Sequence, residues 1–113
     1  MPASAALRAW TPIVVWAAVI FAFSSVPDLG TGLGTWDLVL RKLAHGVEFA
    51  VLGALLLRAL RDELPALVAG IAYAVTDELH QHFVPGRVGA PLDVLFDSVG
   101  VALGIAVWRR RLR

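Results

Sequence analysis

Four apolar segments, each close to the length of a membrane span and each broken into by charge, constrain what this chain can become. The first runs from about Leu7 to Phe23 and the second from about Leu38 to Leu57. The third runs from about Leu64 to His80 and the fourth from about Leu92 to Trp108. The breaks carry helix-stop chemistry: Val26-Pro27-Asp28-Leu29-Gly30, Arg61-Asp62-Glu63-Leu64-Pro65 and Val84-Pro85-Gly86-Arg87. Pro12 is tolerable near the start of the first helix. A spanning helix needs roughly 20 residues. The last three segments reach that length only if polar residues such as His45, Glu48, Asp77 and Asp97 enter the membrane with them.

Composition decides the solvent. Hydrophobic residues make up 58% of the chain and charged residues 17%. An average soluble domain carries about 25% charged residues. A chain of 113 residues has a small interior and cannot hide this much apolar surface in it. Lipid is the expected solvent. The predicted fold is an all-α, four-helix transmembrane bundle with both termini cytoplasmic, a single domain over residues 1–113. The chain has no cysteine, which excludes disulfides and thiolate metal sites. The net charge of +1 is uninformative as a total, and no nucleic-acid partner is expected. A rival reading makes the first segment a cleaved signal peptide, with Arg8 before the apolar run and Ser24-Ser25 after it. The weakly basic start and the lack of a small-x-small cleavage site favour a retained helix.

Charge sets the predicted topology. The cluster Arg109, Arg110, Arg111 and Arg113 belongs inside by the positive-inside bias. Four spans then place Arg8, Arg58 and Arg61 inside as well, and leave Arg41, Lys42 and Arg87 outside. On this topology every helix brings polar groups to the outer face. The first ends at Ser24-Ser25, and the second starts with Lys42, His45 and Glu48. The third ends with Thr76, Asp77, Glu78, His80 and Gln81, and the fourth starts with Asp93 and Asp97. Their spacing sorts them. At about 100° per residue, Lys42, His45 and Glu48 fall within about 120° of one another. Tyr73, Asp77, His80 and Gln81 share a face, with Glu78 at its border and His82 opposite. Asp93, Asp97, Gly100 and Gly104 form one stripe, whose glycines are a small-xxx-small pair suited to close packing. An ionisable group at mid-bilayer costs at least ~2.5–3.5 kcal/mol, so such groups face a cavity or a partner.

At these residues the sequence resembles the VanZ-like family of small bacterial membrane proteins. The matching stretches are Phe23-Ser24-Ser25 with Pro27, then Arg41-Lys42-Leu43-Ala44-His45-Gly46-Val47-Glu48-Phe49. They continue with Thr76-Asp77-Glu78-Leu79-His80-Gln81-His82-Phe83-Val84-Pro85-Gly86-Arg87 and with Asp93-Val94-Leu95-Phe96-Asp97-Ser98-Val99-Gly100 leading to Gly104. Val26 and Asp97 depart from the usual family pattern. The resemblance implies a four-helix, multi-pass protein of the bacterial cytoplasmic (inner) membrane, in a family named for a member associated with teicoplanin resistance. It implies no particular reaction.

Function must therefore be argued from the polar set. Expected partners are the lipid bilayer and an envelope lipid or lipid-linked cell-wall precursor. As a binding protein, the chain would hold that molecule in an outward-facing cavity. Lys42, His80, Gln81, Arg87 and Asp97 would contact it, and the N-terminus of helix two, expected near Lys42, would favour an anion. As an enzyme, it would use His45, Glu48, Asp77, Glu78 and Asp93 as catalytic candidates for acid/base work. A divalent metal held by His45, Glu48, Asp77, His80 and Asp93 is conceivable but not favoured, because i, i+3 pairs on helices also arise by chance. Transport is disfavoured because Leu55, Leu56, Ala69, Ile71, Ile105 and Val107 offer no polar path. A purely structural role would pair Lys42 with Asp93, Arg87 with Glu78 and His45 with Asp77. Trp10, Trp16, Trp36 and Trp108 read as interface anchors and packing residues, Tyr73 as a packed residue with a bonded hydroxyl, and His82 as an interfacial bystander.

Overall fold

The local sequence starts and stops four helices within the residues that the computed structural model describes, 3–25, 35–84 and 91–111. They are α1 (Ala3–Ser24), α2 (Thr35–Leu60), α3 (Glu63–His82) and α4 (Pro91–Arg111), with no strand among the described residues. Pro91 stands at the first position of α4, where its missing N–H costs nothing. Pro65 falls in the first turn of α3 for the same reason. Pro12 differs from expectation. α1 begins at Ala3, so Pro12 lies inside the helix and cannot donate back to the Arg8 carbonyl. Only Arg61 and Asp62 separate α2 from α3. Arg61 turns the chain in the left-handed region at φ 61°, its N–H bonded to the Leu57 carbonyl at 2.8 Å.

Helix α2 packs against the other three, most extensively against α4, whereas α1 and α4 do not meet among the described residues. The α2–α4 contact is backbone on backbone. A Cβ on Gly100 would come within 2.5 Å of the Gly46 carbonyl oxygen. A Cβ on Gly104 would overlap the Ala50 carbonyl, and one on Gly53 the Val101 carbonyl. Gly70 of α3 closes on the same spot, where its Cβ would meet the Val101 side chain at 2.5 Å. The predicted Gly100/Gly104 stripe is thus an interface, matched on α2 by Gly46, Ala50 and Gly53.

The apolar interior fills the end of the bundle away from the polar residues, through Leu52, Leu56, Leu57, Ala66, Val101 and Ile105. Outside, every helix presents large apolar side chains: Val14 and Phe21 of α1, Leu43 and Val47 of α2, Leu64 and Leu79 of α3, Leu95 and Leu103 of α4. Inside sit Ser24, Asp77, Glu78, Gln81 and Asp97. Two helical stretches, Ala3–Ser24 and Val39–Leu60, are long and apolar enough to cross a membrane.

Gly104→Val should force α2 and α4 apart and lower the thermal midpoint of the purified protein in detergent. The expected loss is about 1–3 kcal/mol, the usual range for overpacking. Gly46→Ala is the control. Nothing lies within 4 Å of its added Cβ, so its midpoint should hold or rise.

Candidate functional site

His45 is the hub of the polar end. Its Nε2 lies 2.9 Å from Asp77 Oδ2 and 3.7 Å from Asp97 Oδ2, and its Nδ1 lies 3.2 Å from Glu48 Oε2. Three helices therefore converge on one imidazole. The Glu48 contact is at ion-pair distance without hydrogen-bond alignment, since Glu48 Oε2 is buried and forms no hydrogen bond. Gln81 stands one turn beyond Asp77 and donates to Asp77 Oδ2 at 3.0 Å. Its amide also reaches His45 Nε2 and the hydroxyl of Ser24, each at 3.5 Å, which brings in the fourth helix. Phe49 walls the site from below, with its ring tilted against those of His45 and Tyr73.

This set is a buried floor. The side chains of His45 and Glu48 are 12% and 15% exposed, and those of Asp77 and Asp97 only 1% and 3%. Above it stands a more open rim. Lys42 Nζ donates to Asp93 Oδ1 at 2.8 Å, with side chains 33% and 20% exposed. Lys42 also lies over the Phe96 ring at 5.2 Å. Across the bundle, His80 stacks on Phe21 with ring centroids 3.9 Å apart, and its Nε2 lies 3.3 Å from the Ser25 hydroxyl.

Helix α1 is fastened through backbone carbonyls. The Trp16 indole N–H donates to the Glu48 carbonyl at 2.8 Å, and the Tyr73 hydroxyl donates to the Ala17 carbonyl at 2.5 Å. Trp16 is thus a packing residue beside the site, and Tyr73 is packed with its hydroxyl bonded.

Of the ten candidate residues, the structure brings His45, Glu48, Asp77, Gln81 and Asp97 together, and sets Lys42 with Asp93 on the rim. His80 belongs to the α1–α3 contact. Glu78 is buried, and its Oε1 lies 3.4 Å from His82 Nε2. Arg87 lies outside the described residues, as do Pro85, Gly86 and the Gly30–Gly34 stretch. The anion site expected at the start of α2 is corrected. The helix begins at Thr35, so Lys42 stands two turns inside it, where successive N–H groups are bonded to carbonyls rather than free. Spacing had set Ser24 and Ser25 at the polar end, but their partners Gln81 and His80 lie on α3 and required the fold.

The order and chemistry of these residues agree with a known family pattern. A family model for VanZ/LLP1 matches residues 7–112. The chain belongs to the VanZ/LLP1 family. The comparisons with curated proteins and with solved structures return no match. The match takes in α2, α3, α4 and all but the first four residues of α1 in this VanZ/LLP1 chain, with every residue of the floor and rim.

The rim pair should behave as a unit. Lys42→Gln and Asp93→Asn should each lower the thermal midpoint in detergent, and the double variant should lose less than the two losses added. Simple additivity in that cycle would mean the 2.8 Å contact contributes nothing.

Proposed function

We propose that the chain is a four-span protein of the bacterial cytoplasmic membrane that binds the polar head of an envelope lipid or lipid-linked precursor at its outer rim. One observation carries this reading. The helices turn large apolar side chains outward along their length and deliver their polar side chains to the same end of the bundle. That inversion suits a bilayer, where apolar faces meet lipid and polar groups must find partners inside the protein. At about 1.5 Å per residue, helices of 20–26 residues match the roughly 30 Å hydrocarbon core. Basic residues at the far end, including Arg58, Arg61 and Arg109–Arg111, support placing that end in the cytoplasm.

The rim offers a cation, a carboxylate, an imidazole and a hydroxyl in Lys42, Asp93, His80 and Ser25, which suits a head group carrying both charge and donors. A head group could reach them from the side, between helices. Two of the pairs expected of a purely structural cluster, Lys42–Asp93 and His45–Asp77, are formed. Asp97 and Asp77 Oδ1 exceed what gluing helices together requires. Asp77 Oδ1 is buried without a hydrogen-bond partner, and Asp97 is buried with its Oδ2 3.7 Å from His45 Nε2. An enzymatic reading draws on His45, whose ring nitrogens both face carboxylates, an arrangement fit to relay a proton. Transport finds no support in the apolar half, where Leu56 and Ile105 are buried core.

Topology is checked by single cysteines at Gly32, Asp62 and Arg87 in cells. An impermeant reagent applied outside should label positions 32 and 87 and spare 62, and the reverse pattern would sink the topology. Binding is checked by incubating purified protein with labelled lipid-linked precursors. Retention should fall about tenfold in Lys42→Gln and in Asp93→Asn, a difference of 1.4 kcal/mol. Unchanged retention in both removes the rim as the site. Covalent change in the lipid favours the enzyme.

A further inference from the structure

The buried floor holds more acceptors than donors. Glu48, Asp77 and Asp97 converge there, against one imidazole and the Gln81 amide. Asp97 is 2% exposed and faces the His45 ring. Its contact with His45, at 3.7 Å, is too long for a hydrogen bond. Asp77 Oδ1 is buried without a hydrogen-bond partner. A buried carboxylate oxygen with no donor is costly, and a second buried carboxylate nearby raises the cost.

We propose that His45, Asp77 and Asp97 bind a divalent transition-metal ion. One ligand atom from each lies within 4.8 Å of the others. Atoms bound tetrahedrally to one zinc ion at about 2.0–2.2 Å stand roughly 3.3–3.6 Å from one another. The His45 Nε2 distances to Asp77 Oδ2 and Asp97 Oδ2, 2.9 and 3.7 Å, bracket that range, so small side-chain rotations suffice. One imidazole nitrogen with two carboxylates suits zinc, manganese or iron better than magnesium or calcium.

The surroundings fit the same reading. A histidine that ligates through one nitrogen needs an acceptor for the N–H of the other. Glu48 Oε2 stands 3.2 Å from His45 Nδ1, close enough for a small side-chain rotation to make it that acceptor. Gln81 donates to Asp77 Oδ2 and orients that carboxylate. Asp93, one turn before Asp97 and part-exposed on the rim, gives an ion a carboxylate to meet on entry. Three protein ligands leave the ion at least one position for water or a ligand atom. The site does not depend on the head-group reading, because an ion can be measured with no lipid added.

The test uses the full chain, purified in detergent without an affinity tag and treated with chelator. Zn²⁺ titration by calorimetry, with metal analysis after gel filtration, should give one ion per chain and a raised thermal midpoint. His45→Gln and Asp97→Asn should each weaken binding at least about 100-fold. Glu48→Gln should fall within the 10–100-fold range of an outer-shell partner. Glu63→Gln, a carboxylate at the opposite end paired with Arg109, should bind like wild type. Should a floor variant fail to fold, Co²⁺ on the wild type decides. Visible absorption bands that Zn²⁺ displaces support the site, and their absence overturns it. A wild type that takes up no Zn²⁺, or full affinity in folded His45→Gln and Asp97→Asn, equally overturns it and leaves protons as what neutralises the carboxylates.

Discussion

The close approach of α2 and α4 is the constraint on which the polar end depends. Gly46 and Ala50 of α2 meet Gly100 and Gly104 of α4 with no side chain between the backbones. His45 adjoins Gly46, and Asp97 lies one turn before Gly100. Their side chains can come within 3.7 Å only because the helices beneath them touch. Lys42 and Asp93 sit one turn further along the same pair of helices and meet at 2.8 Å. Wherever a methyl group would separate α2 from α4, it would also open the site. The glycines therefore belong to the chemistry as much as the carboxylates do, although none of them could touch a ligand.

The remaining helices complete the site in different ways. α3 supplies charge through Asp77 and an amide through Gln81, and it reaches the core through Gly70 against Val101. α1 supplies cover. It is tied to its neighbours by Trp16 and Tyr73, each donating to a backbone carbonyl across a helix boundary. A carbonyl partner survives almost any substitution at the accepting position. Two donors thus fix where α1 lies while leaving residues 17 and 48 free to vary in that respect.

Much of this was legible in the sequence because helical periodicity is strict. It named four helices, the single polar end, the Gly100/Gly104 face and the pairs Lys42–Asp93 and His45–Asp77. It also set His82 apart from Asp77. What it missed depends on the partner rather than on the helix itself. Spacing put Glu78 at the border of a face, but only the fold shows it buried, with its Oε1 3.4 Å from His82 Nε2. The start of α2 at Thr35 was hidden because Thr35 to Asp37 look no more helical than the loop before them. Pro12 was expected near the start of a helix beginning at about Leu7, but α1 begins at Ala3 and sets Pro12 further inside. The small residues of α2, Gly46, Ala50 and Gly53, share the i, i+4, i+7 spacing of a helix face, but that they form an interface was visible only once α4 was laid on them.

The order of the helices in the chain has a consequence for how the protein is made. Lys42 finds its partner 51 residues later, and His45 finds Asp77 after 32. On the membrane reading, α2 leaves the ribosome with a lysine and a histidine whose aspartate partners have not yet been synthesised. Its glycine face has no helix to cover it until α4 is complete. A lone α2 would be a poor candidate to enter lipid by itself. The two-residue link at Arg61 and Asp62 keeps α3 close behind, so the pair is suited to enter as a hairpin that carries Asp77 to His45. α4 then arrives last and locks the set. Truncation after α3 should therefore yield not a smaller version of this protein but a substrate for membrane proteases.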